Sequence, residues 1–283
     1  YFALSLRPEA RLRESPGTDV LILVDTSASQ TGIYRDDVLL ATKTLVQSLQ
    51  KRDRVRLAAM DLEAVSLCDE FVLSNDRSVD HALSKLEKRV PLGSTDLIGG
   101  LKFARSAFSG NRPRAVIYIG DGLSKANSLL TRKFHDTVKS LVHARISVSS
   151  FAIGPQRNVE SLAVIANQTG GMLYVDAEDI SGQQAGRALA LLARATVVWP
   201  GHYELSGATE FYPSAIPLRS DRDSIVVGTL QQRSPFQVRV AGTALGNPVQ
   251  LSWSPEAQTS VEDNAYLARI VEAAKADSGQ SLP

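Results

Sequence analysis

The chain has 283 residues, 43% of them hydrophobic and 22% charged, which is the composition of a globular protein and not of a disordered one. Its 31 Lys and Arg residues offset 30 Asp and Glu residues, and a net charge of +1 argues against a nucleic-acid binder, which needs a concentrated basic field. The single cysteine, Cys68, excludes an intrachain disulfide and a zinc site with several cysteine ligands, and no apolar run reaches the roughly 18 residues of a membrane span.

The start of the chain has the pattern of a strand over residues 1–6, with neither the basic stretch nor the small-residue cleavage site of a signal peptide. Because the first residue is Tyr1, we expect the sequence to be a piece of a longer protein. Residues 7–18 contain charges, two prolines and a glycine, which is typical of a linker.

The next stretch alternates between strands and helices. Residues 19–25 read Asp-Val-Leu-Ile-Leu-Val-Asp, a short apolar run that predicts a strand buried on both faces, and residues 36–49 have helical spacing. Such alternation predicts an α/β fold with a doubly wound, mainly parallel sheet flanked by helices. The further predicted strands are 55–60, 65–72, 115–119, 146–153 and 172–175, and the further predicted helices are 78–86, 97–108, 131–144, 159–168 and 181–194.

The pattern changes after residue 200. Short alternating stretches punctuated by Pro and Gly predict a small antiparallel β region resembling a β-sandwich, and residues 262–275 return to helical spacing. The alternating stretches are 202–206, 224–230, 235–240 and 248–253.

Five oxygen-bearing side chains lie where predicted strands end or a helix begins. Asp25, Ser27 and Ser29 follow the first buried strand, Thr95 precedes the helix from residue 97, and Asp121 follows the strand at 115–119. Ligands of such sheets bind beyond the carboxyl ends of the strands. Hard oxygen donors suit a small divalent cation, and a set with so few charges would leave that cation open to a carboxylate from a partner.

These residues carry a resemblance to a known family. Asp25-Thr-Ser27-Ala-Ser29, with Thr95 and Asp121 in order, resembles the metal-ion-dependent adhesion site of von Willebrand factor type A domains, over about residues 17–200. The resemblance implies that Ser27, Ser29 and Thr95 bind Mg²⁺ (or Mn²⁺ or Ca²⁺) directly. It implies that Asp25 and Asp121 act directly or through water.

The resemblance also implies a function. The site would bind a protein ligand that supplies an Asp or Glu carboxylate, as in cell adhesion, and the family suggests an extracytoplasmic or cell-surface location. The family often has Gly and Met at the positions of Ala28 and Gln30, but neither side chain is a ligand there.

The order of the regions has a second resemblance, to the inter-alpha-trypsin inhibitor heavy chains and their bacterial relatives. It implies that residues 1–16 and 201–260 form one discontinuous β domain beside the A domain at 17–200. Residues 261–283 would then be a C-terminal helix and tail.

Other interpretations of the same residues stay open. Asp25, Ser27 and Ser29 are common in ordinary loops, and either Thr95 or Asp96 could cap the helix that follows. Asp25 could instead be the nucleophile of a Mg²⁺-dependent phosphatase, although Ser27 stands where such enzymes want a second acid. A structural scaffold with an unused metal site is another alternative. No nucleophile elbow or phosphate-binding glycine loop occurs, so we expect a binding module and not an enzyme.

Overall fold

The computed structural model describes residues 1–8, 17–124, 131–177, 180–231, 236–256, 262–280 and 282. The chain divides into two compact units, of which the larger is Glu14–Arg194 and the smaller combines Tyr1–Arg13 with Ala195–Pro283. The predicted linker at 7–18 lies largely outside the described residues.

The secondary structure elements of the described residues are numbered in chain order. The strands are β1 (Phe2–Leu6), β2 (Asp19–Asp25), β3 (Arg54–Met60), β4 (Ala64–Ser66), β5 (Val72–Leu73), β6 (Arg114–Gly120), β7 (Ile146–Ala152), β8 (Leu173–Val175), β9 (Val197–Ser206), β10 (Ala208–Tyr212), β11 (Leu218–Arg219), β12 (Ser224–Leu230), β13 (Gln237–Ala244) and β14 (Asn247–Trp253). The helices are α1 (Ile33–Ser48), α2 (Arg77–Lys88), α3 (Leu97–Ala107), α4 (Arg132–His143), α5 (Val159–Thr169), α6 (Gly182–Arg194) and α7 (Tyr266–Asp277), the last preceded by a 3₁₀ turn at Glu262–Ala265.

The strands of the larger unit form one seven-stranded sheet in the order β4-β3-β2-β6-β7-β8, with β5 also paired to β3. Strands β2, β3, β6, β7 and β8 are parallel, whereas β4 and β5 run antiparallel to β3. This sheet confirms the predicted α/β fold. None of the helices in the described ranges is long and apolar enough to cross a membrane.

Strand β2 supplies both faces of the sheet with apolar side chains, and all seven of its residues are buried. Val20, Ile22 and Val24 belong to one apolar cluster, which includes side chains of α1 and α6. Leu21 and Leu23 belong to a second cluster, which includes side chains of α3, α4 and α5. Because neighbouring side chains of a strand point to opposite faces, the unbroken apolar run places β2 between two helical layers.

Two boundaries differ from the predictions. Helix α1 begins at Ile33, so Asp36 lies in its first turn and not at its start, and Gly32 precedes it with a φ of 60° that favours glycine. The strand predicted at 65–72 is instead the two short strands β4 and β5, which pair with opposite ends of β3. Exposed Asp69 and Glu70 lie between them, where charged side chains remain in water.

The smaller unit contains two antiparallel sheets, one in the order β1-β12-β10 and the other in the order β11-β9-β13-β14. Leu6 and Val226 from the first sheet share an apolar cluster with Leu205, Val238 and Val240 from the second, so each sheet buries one face in a common core. The predicted antiparallel β region is therefore present. It also contains β10 and β11, which the sequence pattern did not predict.

Candidate functional site

Three loops meet at the carboxyl end of the large sheet. Asp25 ends β2, and Asp121 directly follows β6, which is the parallel neighbour of β2. The loop that carries Thr95 is joined to the first loop by backbone hydrogen bonds, from the Ala28 amide to the Gly93 carbonyl at 3.1 Å and from the Leu92 amide to the Thr26 carbonyl at 3.0 Å. The sheet order and these bonds bring residues distant in sequence to one place.

Asp25 is fully buried, and both oxygens of its carboxylate accept hydrogen bonds. Its Oδ1 accepts the backbone amide of Ser27 at 2.8 Å. The Thr95 hydroxyl lies 2.9 Å from Oδ2 and 3.1 Å from Oδ1, and the Tyr118 hydroxyl donates to Oδ2 at 3.0 Å. The carboxylate is thus held in one orientation by donors from the first loop, the second loop and β6.

The bonds to Asp25 are one series of hydrogen bonds, and the remaining predicted side chains form a second series. The hydroxyl oxygens of Ser27 and Ser29 are 3.0 Å apart, and the Ser29 hydroxyl donates to Oδ2 of Asp121 at 2.6 Å. Oδ1 of Asp121 accepts the Leu123 amide at 2.8 Å, which fixes the turn after β6. Ser27 belongs to both series, because its amide donates to Asp25 while its hydroxyl contacts Ser29.

Four of the five predicted residues face a common pocket of about 230 Å³. They are Ser27, Ser29, Thr95 and Asp121, whereas Asp25 lies behind them and does not line the pocket. The structure therefore brings together all five predicted side chains, with four at the surface of the pocket and one supporting them. The other residues that line the pocket are Ala28, Gly93, Ser94, Leu123, Pro155 and Gln156.

The neighbouring charge of Asp121 adds to the electrostatic cost of ionising the buried Asp25 carboxylate. Burial raises the pKa of Asp25 to about 6, and the charge of Asp121 adds to this effect, while the hydrogen bonds from Ser27 and Thr95 act in the opposite direction. Within the described ranges, no Lys, Arg or His side chain forms an ion pair with Asp25 or Asp121. The site is consequently electronegative, and a cation in the pocket would relieve the repulsion.

The donor set fits a cation that prefers oxygen ligands better than a metal that prefers thiolate or imidazole ligands. The described residues contain no group of three or more His, Cys, Asp or Glu side chains that could hold a metal ion. This site has only two carboxylates, and its other donors are the hydroxyls of Ser27, Ser29 and Thr95. Oxygen donors of this kind suit Mg²⁺, which keeps several water ligands and needs few protein ligands. The assignment of the five residues as metal ligands stays a prediction.

The loop with Thr95 is fastened by residues outside the predicted set. Arg89 donates from Nε to the Thr26 hydroxyl at 3.0 Å and from Nη2 to the Asp61 carboxylate at 2.7 Å. The Asp61 carbonyl accepts the Asp96 amide at 2.8 Å. Asp96 also caps α3 through the Gly99 amide at 2.9 Å, which leaves the Thr95 hydroxyl available for Asp25.

The two departures from the family pattern have different consequences. Ala28 is exposed at the mouth of the pocket. Gln30 is fully buried, and its Nε2 donates to the Ile153 carbonyl at 3.2 Å, which ties the first loop to the end of β7. Neither the Ala28 side chain nor the Gln30 side chain takes part in the two series of hydrogen bonds described above.

Sequence reasoning missed Tyr118, which is fully buried in β6. Burial raises its pKa well above 10, and the neighbouring Asp25 charge raises the pKa further. The hydroxyl therefore stays protonated and can donate a hydrogen bond. A signal was present in the sequence, because a tyrosine in an otherwise apolar buried strand needs a hydrogen-bond partner for its hydroxyl. The nearest polar residue along the chain is Asp121, just past the carboxyl end of that strand.

Comparisons with known proteins show which proteins this chain resembles. The chain is 24% identical over 193 residues to inter-alpha-trypsin inhibitor heavy chain H2 of Sus scrofa, a match that covers 65% of this chain and 20% of that protein. The chain thus spans about a fifth of the length of this curated relative.

Two solved structures have a similar fold. One is a von Willebrand factor type A protein from Catenulispora acidiphila, with a TM-score of 0.62, 14% identity, and coverage of 89% of this chain and 70% of that chain. The other is an aerotolerance-related membrane protein from Bacteroides fragilis, with a TM-score of 0.51, 17% identity, and coverage of 62% and 98% respectively.

A family model described as the von Willebrand factor type A domain matches residues 18–175, which is more than half of the chain. The matched range contains all three loops of the site. Members of this family are generally protein-binding modules, and they often bind a divalent metal ion. The chain therefore belongs to the von Willebrand factor type A domain family.

Proposed function

We propose that the larger unit is a metal-dependent protein-binding module. In this proposal Mg²⁺, or Mn²⁺ or Ca²⁺, occupies the pocket lined by Ser27, Ser29, Thr95 and Asp121, and an Asp or Glu of a partner protein completes the site. The observation that carries the proposal is the convergence of three hydroxyls and the Asp121 carboxylate, from three separate loops, on one pocket, with the Asp25 carboxylate hydrogen-bonded to Thr95 behind it.

The roles of the residues follow from their positions. Ser27, Ser29, Thr95 and Asp121 present oxygens to the pocket and would hold the cation. Asp25 is buried behind them. Its carboxylate would compensate part of the cation's positive charge, and it would keep the Ser27 amide and the Thr95 hydroxyl in place. The bound cation would supply positive charge that attracts an external carboxylate. Because Asp121 is the one carboxylate among the described residues that line the pocket, the direct protein ligands would leave part of the cation's charge uncompensated.

We also propose that the unit does no bond-breaking chemistry. A nucleophilic aspartate needs a free oxygen at the surface of the pocket. Asp25 is fully buried, and both its oxygens accept hydrogen bonds from Ser27, Thr95 and Tyr118. This geometry favours a supporting carboxylate over the nucleophile of a phosphatase.

The proposal is tested by water-proton relaxation of the protein titrated with Mn²⁺. We expect Mn²⁺ to raise the relaxation rate as it binds with water ligands, and N-acetyl-aspartate amide to lower the rate again as its carboxylate replaces water. N-acetyl-asparagine amide is the matched neutral control and should leave the rate unchanged.

The variant Ser29→Ala should show a weaker response to Mn²⁺, because it removes a pocket oxygen that bonds Asp121 at 2.6 Å. An absence of any Mn²⁺ response in the unsubstituted protein would contradict the proposal and favour a scaffold with an unused site. An equal response to the aspartate and asparagine amides would contradict the role of an external carboxylate.

A further inference from the structure

We propose that Tyr118 is a positioning residue of the metal site, and that Gly120 is the residue that leaves room for its hydroxyl. This inference rests on the proposed metal-binding function. It assigns a role to a residue outside the adhesion-site motif, at a strand position where the sequence pattern indicates only a core side chain. The argument depends on contacts among Tyr118, Gly120, Gly122 and Asp25.

The Tyr118 hydroxyl makes two hydrogen bonds at the end of β6. It donates to Oδ2 of Asp25 at 3.0 Å and accepts the amide of Gly122 at 3.2 Å. The aromatic ring lies in the apolar cluster that includes Leu23 and Met60. One side chain thus connects the core, the Asp25 carboxylate and the turn that carries Asp121.

Gly120 lies two residues after Tyr118 and on the same face of β6. A Cβ atom added at Gly120 would lie 2.5 Å from the Tyr118 hydroxyl oxygen and 2.4 Å from Cβ of Asp25. Both distances are far shorter than non-bonded contacts allow, so a side chain here would displace the Tyr118 hydroxyl or the Asp25 side chain. The space that Gly120 leaves open is the space in which the Tyr118–Asp25 hydrogen bond forms.

The bond from Tyr118 differs from the other bonds to Asp25 in a way that matters for a cation. Thr95 lines the pocket, and its hydroxyl would have to turn its oxygen toward a bound ion. Tyr118 does not line the pocket, so its bond to Oδ2 and the Ser27 amide bond to Oδ1 can persist when an ion binds. These two donors hold different oxygens and together fix the plane of the carboxylate. Partners of this outer kind typically change metal affinity by about 10- to 100-fold when they are removed.

The test compares Tyr118→Phe with Tyr203→Phe in the full chain. Tyr203 is a suitable control because its hydroxyl is also buried, lies in the smaller unit, and has no hydrogen-bond partner among the described residues. Two measurements are made on each protein, which are hydrogen exchange at the Ser27 amide without metal and the dissociation constant for Mn²⁺ by calorimetry. A residue that only fills space would move neither measurement when it keeps its ring.

In Tyr118→Phe we expect the Ser27 amide to exchange roughly fivefold faster, the effect of losing about one hydrogen bond at Asp25, and the Mn²⁺ affinity to fall about 10- to 100-fold. Tyr203→Phe should match the unsubstituted protein in both. Unchanged exchange at Ser27 in Tyr118→Phe would overturn the inference, as would an affinity within about twofold of an unsubstituted protein that binds Mn²⁺. If the unsubstituted protein binds no Mn²⁺, the proposed function fails, and the Ser27 exchange alone decides whether Tyr118 positions Asp25.

Discussion

Asp25 has an unfavourable position for a charge. It is fully buried, its neighbour Asp121 is also a carboxylate, and only hydrogen bonds from Ser27, Thr95 and Tyr118 offset the cost. Buried unpaired charges are rare because they destabilise the folded protein. The site therefore carries an electrostatic cost without a cation, and this cost can be measured as a dependence of stability on pH.

We predict that the metal-free protein loses stability between about pH 4 and pH 6 relative to Asp25→Asn. The pKa of Asp25 is about 6 when folded and near 3.8 when unfolded, so the folded state holds the extra proton in this window. As the pH rises through the window, the unfolded state ionises first, and the free energy of unfolding falls by about 3 kcal/mol in total. Urea unfolding in EDTA at several pH values measures the difference. Parallel pH curves for the two proteins would contradict the prediction.

We predict that Thr95→Val weakens Mg²⁺ binding by at least about tenfold, whereas Thr95→Ser stays close to the unsubstituted protein. Valine has the shape of threonine without the hydroxyl, and that hydroxyl both faces the pocket and bonds Asp25 at 2.9 Å. Loss of the donor to a buried carboxylate should also lower the free energy of unfolding by about 1–3 kcal/mol. Calorimetric titration and urea unfolding measure the two effects, and equal Mg²⁺ affinities for the two variants would show that Thr95 is not a ligand.

At the scale of elements, α1 and α6 pack closely on one face of the large sheet. Gly182 and Gly186 are four residues apart in α6, so they lie on the same side of that helix. A Cβ at Gly186 would lie 2.5 Å from the Ala41 carbonyl oxygen, and one at Gly182 would lie 2.6 Å from the Asp37 carbonyl oxygen. The contacting atoms are backbone atoms of α1 or lie next to its backbone, so a side-chain rotation cannot relieve them.

We predict that Gly186→Ala lowers the free energy of unfolding by about 1–3 kcal/mol, because the helices must separate to admit the methyl group. Alanine alone would favour the helix by about 1 kcal/mol, so the packing and the helix propensity predict opposite signs. Gln183→Ala, at an exposed position of the same helix, is the control and should change stability little. A Gly186→Ala protein as stable as the unsubstituted one would mean that α6 does not contact α1 this closely.

The elements that the sequence predicted well are those with long apolar runs or clear helical spacing. Strand β2 and helix α3 are examples, since the first is an unbroken apolar run and the second begins after a capping Asp96. Strands β10 and β11 were missed. Strand β11 has only two residues and β10 carries a bulge, so neither shows a regular alternation.

The proximity of the five candidate side chains could be predicted because Asp25, Thr95 and Asp121 lie next to element boundaries that the sequence marks, and because Ser27 and Ser29 follow Asp25 in the same loop. Tyr118 was not predictable, since its role depends on the distance between its hydroxyl and Asp25. Gly120 also has a role that only the structure reveals, because its spacing in the sequence does not show what a side chain there would meet.

At the scale of the whole molecule, the candidate site is a product of the sheet order. Asp25, Thr95 and Asp121 are far apart in sequence, and they meet only because β2 and β6 are parallel neighbours and because the loop with Thr95 bonds the loop after β2. An unfolded chain cannot hold these oxygens together. Any divalent cation that binds here should therefore bind the folded state alone, and the free energy of unfolding should rise with the logarithm of its concentration once that concentration exceeds the dissociation constant.

The central claim is that these converging oxygens bind one divalent cation, and calorimetric titration with Mg²⁺ tests it most directly. Asp121→Ala removes a carboxylate that faces the pocket, while Asp136→Ala removes an exposed carboxylate of α4 and serves as the control. We predict saturable binding at one site in the unsubstituted protein and in Asp136→Ala, and none in Asp121→Ala. Equal heats in all three proteins, or no saturable heat in the unsubstituted protein with either Mg²⁺ or Mn²⁺, would contradict the claim.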